Sequence, residues 1–347
     1  MMLQDSYASL LGLRGDLHVD AIESKALAGN GLGGDTRKPV VVYTPPGYDA
    51  AGSQRYPVLY VLHGYSSNTL KLIAGAPNER NVLQWTDHLI AGRSMPACIV
   101  AIVDGWTRLG GSQYVDSVQN GNYAAFAARE VVAHVDAGYR TIAREGGRAV
   151  LGKSSGGFGA LHLVMEYPGT FAAFASHSGD AYFRGIFPQS FAPAQRTLER
   201  HQFDVGSFVE SFERKHKPAQ SEFETMLLLA MAAAYSPRSA APFDFDLPFD
   251  RATGEMREDV FARWTAFDPV ERVSGAAAEL GRLRLRYLDC GRRDEFGLDI
   301  GARMLSSRMR EHGMEVRHEE FDDDHRNVGY RYECSLPALA AVLDGTP

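Results

Sequence analysis

The chain has 347 residues, 45% of them hydrophobic, which suffices for a sizeable core and favours one large α/β domain with an insertion over two smaller domains. Its formal net charge of −7 leaves no basic footprint for nucleic acid or an anionic membrane surface. Three cysteines, Cys98, Cys290 and Cys334, are an odd number without CxxC spacing, which argues against a disulfide framework and a zinc site.

The first sixteen residues, MMLQDSYASLLGLRGD, lack a basic start followed by a long apolar region, and no later run approaches membrane-spanning length. A cytoplasmic protein with reduced thiols is the expectation. Residues 15–27 and 38–44 (KPVVVYT) predict two early strands, separated by the turn signal NGLGGD at 30–35. Residues 56–65 (YPVLYVLHGY) form a continuous apolar run of the kind that a strand covered on both faces requires. A helix over 81–91 leads to a second such run at 97–103 (ACIVAIV). The loop after it, 104–114, is rich in glycine and aromatic residues. In an open parallel sheet, loops leaving the carboxyl ends of strands border the ligand crevice, so Trp106 and Tyr114 are candidate substrate-binding residues. Packing of that loop onto the body is the competing explanation.

A third apolar run enters AVLGKSSGGFGA at 149–160, which predicts a strand, a sharp turn carrying Ser154, and a helix. In GxSxG the glycines leave room for a turn that lifts the serine hydroxyl above the sheet. Another strand follows at 171–179, and then the pattern breaks. Residues 180–268 carry their own helical candidates, 223–235 and 258–267, and predict a cap over the crevice, with 1–179 and 269–347 as the two parts of the core. A separate interaction domain is the alternative. The pattern resumes at 282–289 (RLRLRYLD), where charged and apolar residues alternate strictly, predicting a strand near the sheet edge with one wet face. A helix ending at Gly313, a polar edge strand at 315–321 and a final helix at 335–343 complete the chain.

A serine nucleophile needs a base and a carboxylate that orients the base. His325, in the loop past the last strand, is the preferred base; His177, after the strand that follows the elbow, is the rival. For the acid, Asp294 can project away from the sheet, whereas Asp289 at the strand end suits loop backbone N–H groups better. The oxyanion donors are expected from the backbone N–H groups of Ser155 and Tyr65, with His63 as backbone support. Lys153 takes a structural role, because the SxxK spacing of Ser–Lys chemistry is missing. Asp322, Asp323 and Asp324 are expected to form a solvated acidic turn rather than a metal site.

These residues together resemble the putative-esterase family of the α/β-hydrolases, which includes S-formylglutathione hydrolase, enterochelin esterase-like enzymes, feruloyl esterase modules and mycolyltransferases. The resemblance rests on YVLHG (60–64), GSQY (111–114) with GNY (121–123), YRTI (139–142), GKSSGGFGA (152–160), GRRDEF (291–296) and DH (324–325). It implies a mostly parallel central sheet with helices on both faces, and the aspartate of the GxxDxF-like loop, Asp294, as triad acid. Two departures stand out: Lys153 replaces the His, Leu or Met often found before the nucleophile, and the 180–268 segment is longer than in compact members. The resulting expectation is a serine carboxylic-ester hydrolase that takes a small-molecule ester and needs no cofactor or metal, with Ser154, Asp294 and His325 as its triad. An acyltransferase with the same triad, a peptidase and a non-catalytic binding protein are the alternatives. Homo-oligomerisation stays open.

Overall fold

Continuous apolar runs become the central strands because both of their faces are covered by helices. The computed structural model describes residues 8–74 and 79–345; the N-terminal reading over residues 1–7 lies outside them. Eight strands form the main sheet: β1 (Asp16–Glu23), β2 (Arg37–Thr44), β3 (Val58–Leu62), β4 (Ile99–Val103), β5 (Arg148–Lys153), β6 (Ala173–His177), β7 (Leu285–Gly291) and β8 (Arg317–Phe321). Their spatial order is β1-β2-β4-β3-β5-β6-β7-β8. The β1/β2 and β2/β4 pairs are antiparallel and all others parallel.

The period of two sorts side chains between two cores. Val58, Tyr60 and Leu62 of β3 face one cluster, which holds Leu161 and Val164 of the helix α2 (Ser155–Glu166). Leu59 and Val61 face the other, with Leu83 and Leu89 of α1 (Val82–Ala91). Helix α1 starts where expected because Asn81 and Gln84 form a reciprocal capping box.

Between β6 and β7, residues 180–268 add no strand to this sheet. They fold instead as helices α3 (Phe191–Glu199), α4 (Val205–Glu213), α5 (Gln220–Tyr235) and α6 (Glu258–Thr265) around a third cluster. Helix α5 is buried on every side from Leu228 to Tyr235, as expected of the centre of a helical layer. Trp264 of α6 is fully buried and donates from Nε1 to Ser236 Oγ at 2.9 Å. Phe158 of α2 and Leu298 of α7 (Leu298–Glu311) belong to this cluster, so the helical layer packs on elements of the sheet layer. Helix α7 ends in a Schellman arrangement at Gly313, whose φ is 76°.

One expectation for β7 fails. It lies next to the edge strand β8, as predicted, and Arg282 and Arg284 just before it are exposed, but within the strand the charged position is dry. Arg286 is buried, donating from Nε to Glu315 O and from Nη1 to Leu280 O and Leu283 O. Backbone carbonyls thus replace the water that the charge pattern predicted. Among the described residues, no helix is long and apolar enough to cross a membrane.

Parallel register brings the carboxyl ends of the strands into one row. Lys153 of β5 pairs with His177 of β6, His177 with Asp289 of β7, and Gly291 with Phe321 of β8. The loops that leave this row, at Ser154, Ser178, Arg292 and Asp322, therefore open at the same edge.

Candidate active site

The turn after β5 is held by close backbone packing. A Cβ on Gly156 would lie 2.2 Å from Leu62 O, and one on Gly152 would lie 2.5 Å from the carbonyl carbon of Gly156. Only glycine permits that approach. Ser154, between them, has φ 57° and ψ −126°, a conformation costly for a non-glycine residue. It is secured by Ser154 N–H donating to His177 O (2.9 Å) and by Phe158 N–H donating to Ser154 O (2.9 Å). Gly156→Ala should therefore lower the unfolding free energy from urea titration by about 3 kcal/mol, with a correspondingly lower midpoint, the upper end for overpacking, because backbone rather than a flexible side chain must yield. An unchanged midpoint would contradict this account.

His325 Nε2 lies 3.1 Å from Ser154 Oγ, and His325 Nδ1 lies 2.8 Å from Asp294 Oδ2. An ionised carboxylate only accepts, so Nδ1 carries the proton and the Nε2 lone pair faces the serine hydroxyl. Burial pushes the Asp294 carboxyl up, but hydrogen bonds from His325 and Phe296 N–H outweigh it and hold the pKa below the usual carboxylate range. Glu295 Oε2 accepts the backbone N–H of His325 at 3.0 Å, and the Phe296 ring meets the imidazole edge-on at 4.9 Å. These neighbours fix the position of the imidazole. Sequence reading overlooked Glu295, although its charge directly follows Asp294 and matches Arg326, which directly follows His325; the two pair at 3.1 Å.

The rival base is otherwise engaged. His177 is buried, with Nδ1 2.7 Å from Asp289 Oδ1 and Nε2 2.9 Å from Ser335 Oγ on α8 (Tyr332–Ala341). Asp289 does not satisfy loop N–H groups as expected. Its second oxygen accepts from Tyr287 OH and Arg331 Nε.

Next to the serine, Gly64 runs so close to the elbow that a Cβ there would meet Lys153 O at 3.1 Å. His63 holds this loop, donating from Nδ1 to Gly64 O (2.9 Å) and accepting at Nε2 from Gly105 N–H (2.7 Å). Tyr65 follows, its hydroxyl on Leu109 O and its ring against Gly110 and Gly111. Ser155 N–H is a first-turn amide of α2 that no intrahelical carbonyl reaches. Burial lowers the pKa of Lys153, opposed by the charges of Asp294, Glu295 and Asp324. Asp322 pairs with Arg293, and Asp323 and Asp324 accept hydrogen bonds within their own turn.

Tyr65, Ser154 and Ser155 line a cavity of about 420 Å³, together with Phe296 and Leu298 from the core and Phe187, Leu227 and Met231 from the helical layer. Trp106 and Tyr114 are not among the lining residues, contrary to expectation. Tyr114 is buried beneath the elbow, its ring wedged against Gly105 and Gly159 and its hydroxyl on His63 O. Trp106 presents its carbonyl to Lys38 Nζ and Tyr123 OH while its side chain remains 40% exposed.

The family model described as "Putative esterase" matches residues 32–334, most of the chain. The chain belongs to this esterase family. Two Mycobacterium tuberculosis proteins, Esterase MT1326 and Esterase Rv1288, are each 34% identical over 151 residues, which is 43% of this chain and 30% of theirs. The match thus spans less than a third of those relatives. Among solved structures, a ferulic acid esterase superposes with a TM-score of 0.61 at 18% identity, covering 95% of this esterase-family chain and all of its own. An S-formylglutathione hydrolase from Agrobacterium tumefaciens gives 0.56 at 16% identity over 95% and 96% of the two chains. At such identities the likeness establishes the α/β-hydrolase fold.

Proposed function

We propose that this protein hydrolyses a carboxylic ester of a small molecule through an acyl-enzyme on Ser154. The observation that carries this reading is the relay from Ser154 Oγ through the two nitrogens of His325 to Asp294 at 3.1 and 2.8 Å, beside the cavity. His325 takes the hydroxyl proton as Ser154 attacks the ester carbonyl, then gives it to the departing alcohol; Asp294 stabilises the imidazolium that forms in between. The backbone N–H groups of Tyr65 and Ser155 receive the oxyanion, each donor contributing roughly 10²- to 10³-fold in kcat. In the second half, His325 activates water, which attacks the acyl carbon and releases the acid.

The helical layer from 180 to 268 acts as a cap in this reading, since it supplies one wall of the cavity and the loops after β3, β5, β7 and β8 supply the other. A volume near 420 Å³ lies at the small end of ligand sites, which suits a short or singly branched ester group. With p-nitrophenyl acetate in excess, rapid mixing should show a burst of nitrophenol of about one equivalent per protein if deacylation is the slower half, with a matching acetyl adduct on the peptide containing Ser154. An adduct located elsewhere, or no release above the buffer rate, would defeat the proposal.

A further inference from the structure

The segment leaving β6 carries a carboxyl that the proposed mechanism does not use. Asp180 is only 6% exposed, and its Oδ2 is buried without a hydrogen-bond partner among the described residues. It lines the same cavity as Ser154 and Ser155.

Its position is fixed from both sides. Gly179 rides on the first turn of α2, where a Cβ would lie 2.9 Å from the carbonyl carbon of Gly157 and 3.0 Å from Phe158 N. Ser178 N–H donates to Asp289 O at 2.8 Å. Beyond it, Tyr182 and Phe183 N–H groups donate to the Asp268 carboxylate at 2.9 and 2.6 Å. The side chain thus cannot reach solvent by a simple displacement of its loop. Nearby charges do not meet its need. Glu295 and Arg326 pair with each other, and Glu224 of α5, which accepts from Gln220, is a further acid in the wall. Burial pushes the Asp180 carboxyl up to about 7, with the charge of His325 drawing it down and that of Asp294 pushing it up.

Buried polar atoms in native proteins almost always have partners, and an unpartnered one at a cavity wall marks a position that a ligand group completes. The side-chain donors of the wall are engaged elsewhere, Gln189 on Ile186 O, Ser190 on Phe187 O, Gln220 on Glu224 and Arg326 on Glu295, and Ile186, Phe187, Leu228 and Met231 offer none. We infer that Asp180 is the specificity-determining residue of the cavity, accepting a hydrogen bond from a hydroxyl or protonated amino substituent of the ester seated in it. The inference rests on the ester-hydrolase reading of Ser154. It implies discrimination by omission: an alkyl ester of the same shape leaves the carboxyl desolvated and unpaired, the kind of mismatch that yields large selectivity.

The test compares nitrophenyl and alkyl esters bearing hydroxyl, amino or methyl at matched positions, in one series on the acyl chain and in another on the alcohol. For the parent protein, kcat/KM should favour a donor-bearing ester over its methyl isostere by about 100-fold in at least one series, and Asp180→Leu should bring that ratio to near unity. Asp180→Asn, neutral but still able to accept, should keep a preference for hydroxyl and lose one for amine; this separates the two donors. Because Asp180 loses no hydrogen bond to a described residue and its burial cost is relieved, both variants should melt at or above the parent temperature. Binding of the corresponding non-hydrolysable amides to Ser154→Ala protein and to its Asp180→Leu double variant, measured by calorimetry, supplies the same ratio without turnover. If no ester is cleaved but the donor-bearing amide still binds at least 10-fold tighter in an Asp180-dependent way, the reaction assigned to Ser154 fails and this inference stands. Equal parent ratios in both series, a preference that survives Asp180→Leu, or a lower melting temperature with selectivity unchanged would overturn it.

Discussion

Ser154→Ala should lower kcat for ester hydrolysis by about 10⁶-fold while leaving the fold intact. Nothing but the side-chain hydroxyl is removed: the elbow backbone, including the positive φ of 57° at this position, is set by the flanking glycines and by the bonds of Ser154 N–H and C=O, all of which alanine keeps. The residual rate would come from the oxyanion amides and from substrate binding alone. Nitrophenol release and the melting temperature, taken on the same preparation, check both halves. Retention of more than about 1% of kcat would move the nucleophile away from Ser154 and undo the mechanism.

The second large effect separates two aspartates five positions apart. Asp294→Asn should cost about 10⁴-fold in kcat with little change in stability, since the amide can donate to Nδ1 and so favour the tautomer that puts a proton, not a lone pair, toward Ser154. Asp289→Asn should do the opposite. It leaves His177 and Arg331 with weakened partners in a buried network, which predicts a loss of about 3–5 kcal/mol with kcat per folded molecule within a few-fold. Burial raises the pKa of Asp289, but His177 and Arg331 more than offset this and hold it below 3.8 in the folded state. Its stabilisation is thus complete above the unfolded value and is lost as the pH falls through the folded one. The parent protein should therefore lose part of its stability below about pH 4, and that part of the slope should vanish in the Asn variant. Urea titrations across pH 3–6 measure it. A catalytic loss in Asp289→Asn alone would reverse the two assignments.

Much of the architecture was legible because burial on both faces demands unbroken apolar runs, and β3, β4 and β5 have them. The order of Ser154, Asp294 and His325 was legible for a related reason: each follows a strand that ends at the same edge. Other features were not, and three of them show why. The alternation around Arg286 reads as a wet face, and only three-dimensional proximity to the carbonyls of Leu280, Leu283 and Glu315 shows why a guanidinium can sit in a dry one. Tyr114 lies in the right loop but points beneath the elbow, because Gly105 and Gly159, more than fifty positions apart, leave a slot for its ring. Asp180 carries no motif at all. Its significance lies in what fails to surround it, and an amino-acid pattern records neighbours along the chain, not vacancies across a cavity.

The network of His177 has a wider implication for how function is written in this fold. Ser335, His177 and Asp289 repeat the connectivity of Ser154, His325 and Asp294 atom for atom, with hydroxyl on Nε2 and carboxylate on Nδ1, at 2.9 and 2.7 Å. The two trios are grammatical twins, yet one is a rivet. Ser335 sits within α8 with no exposure, so a reactant has no path of approach to it. Meaning in such a trio comes from syntax: where the hydroxyl stands, what can reach it, and which dipoles already point at the empty place beside it.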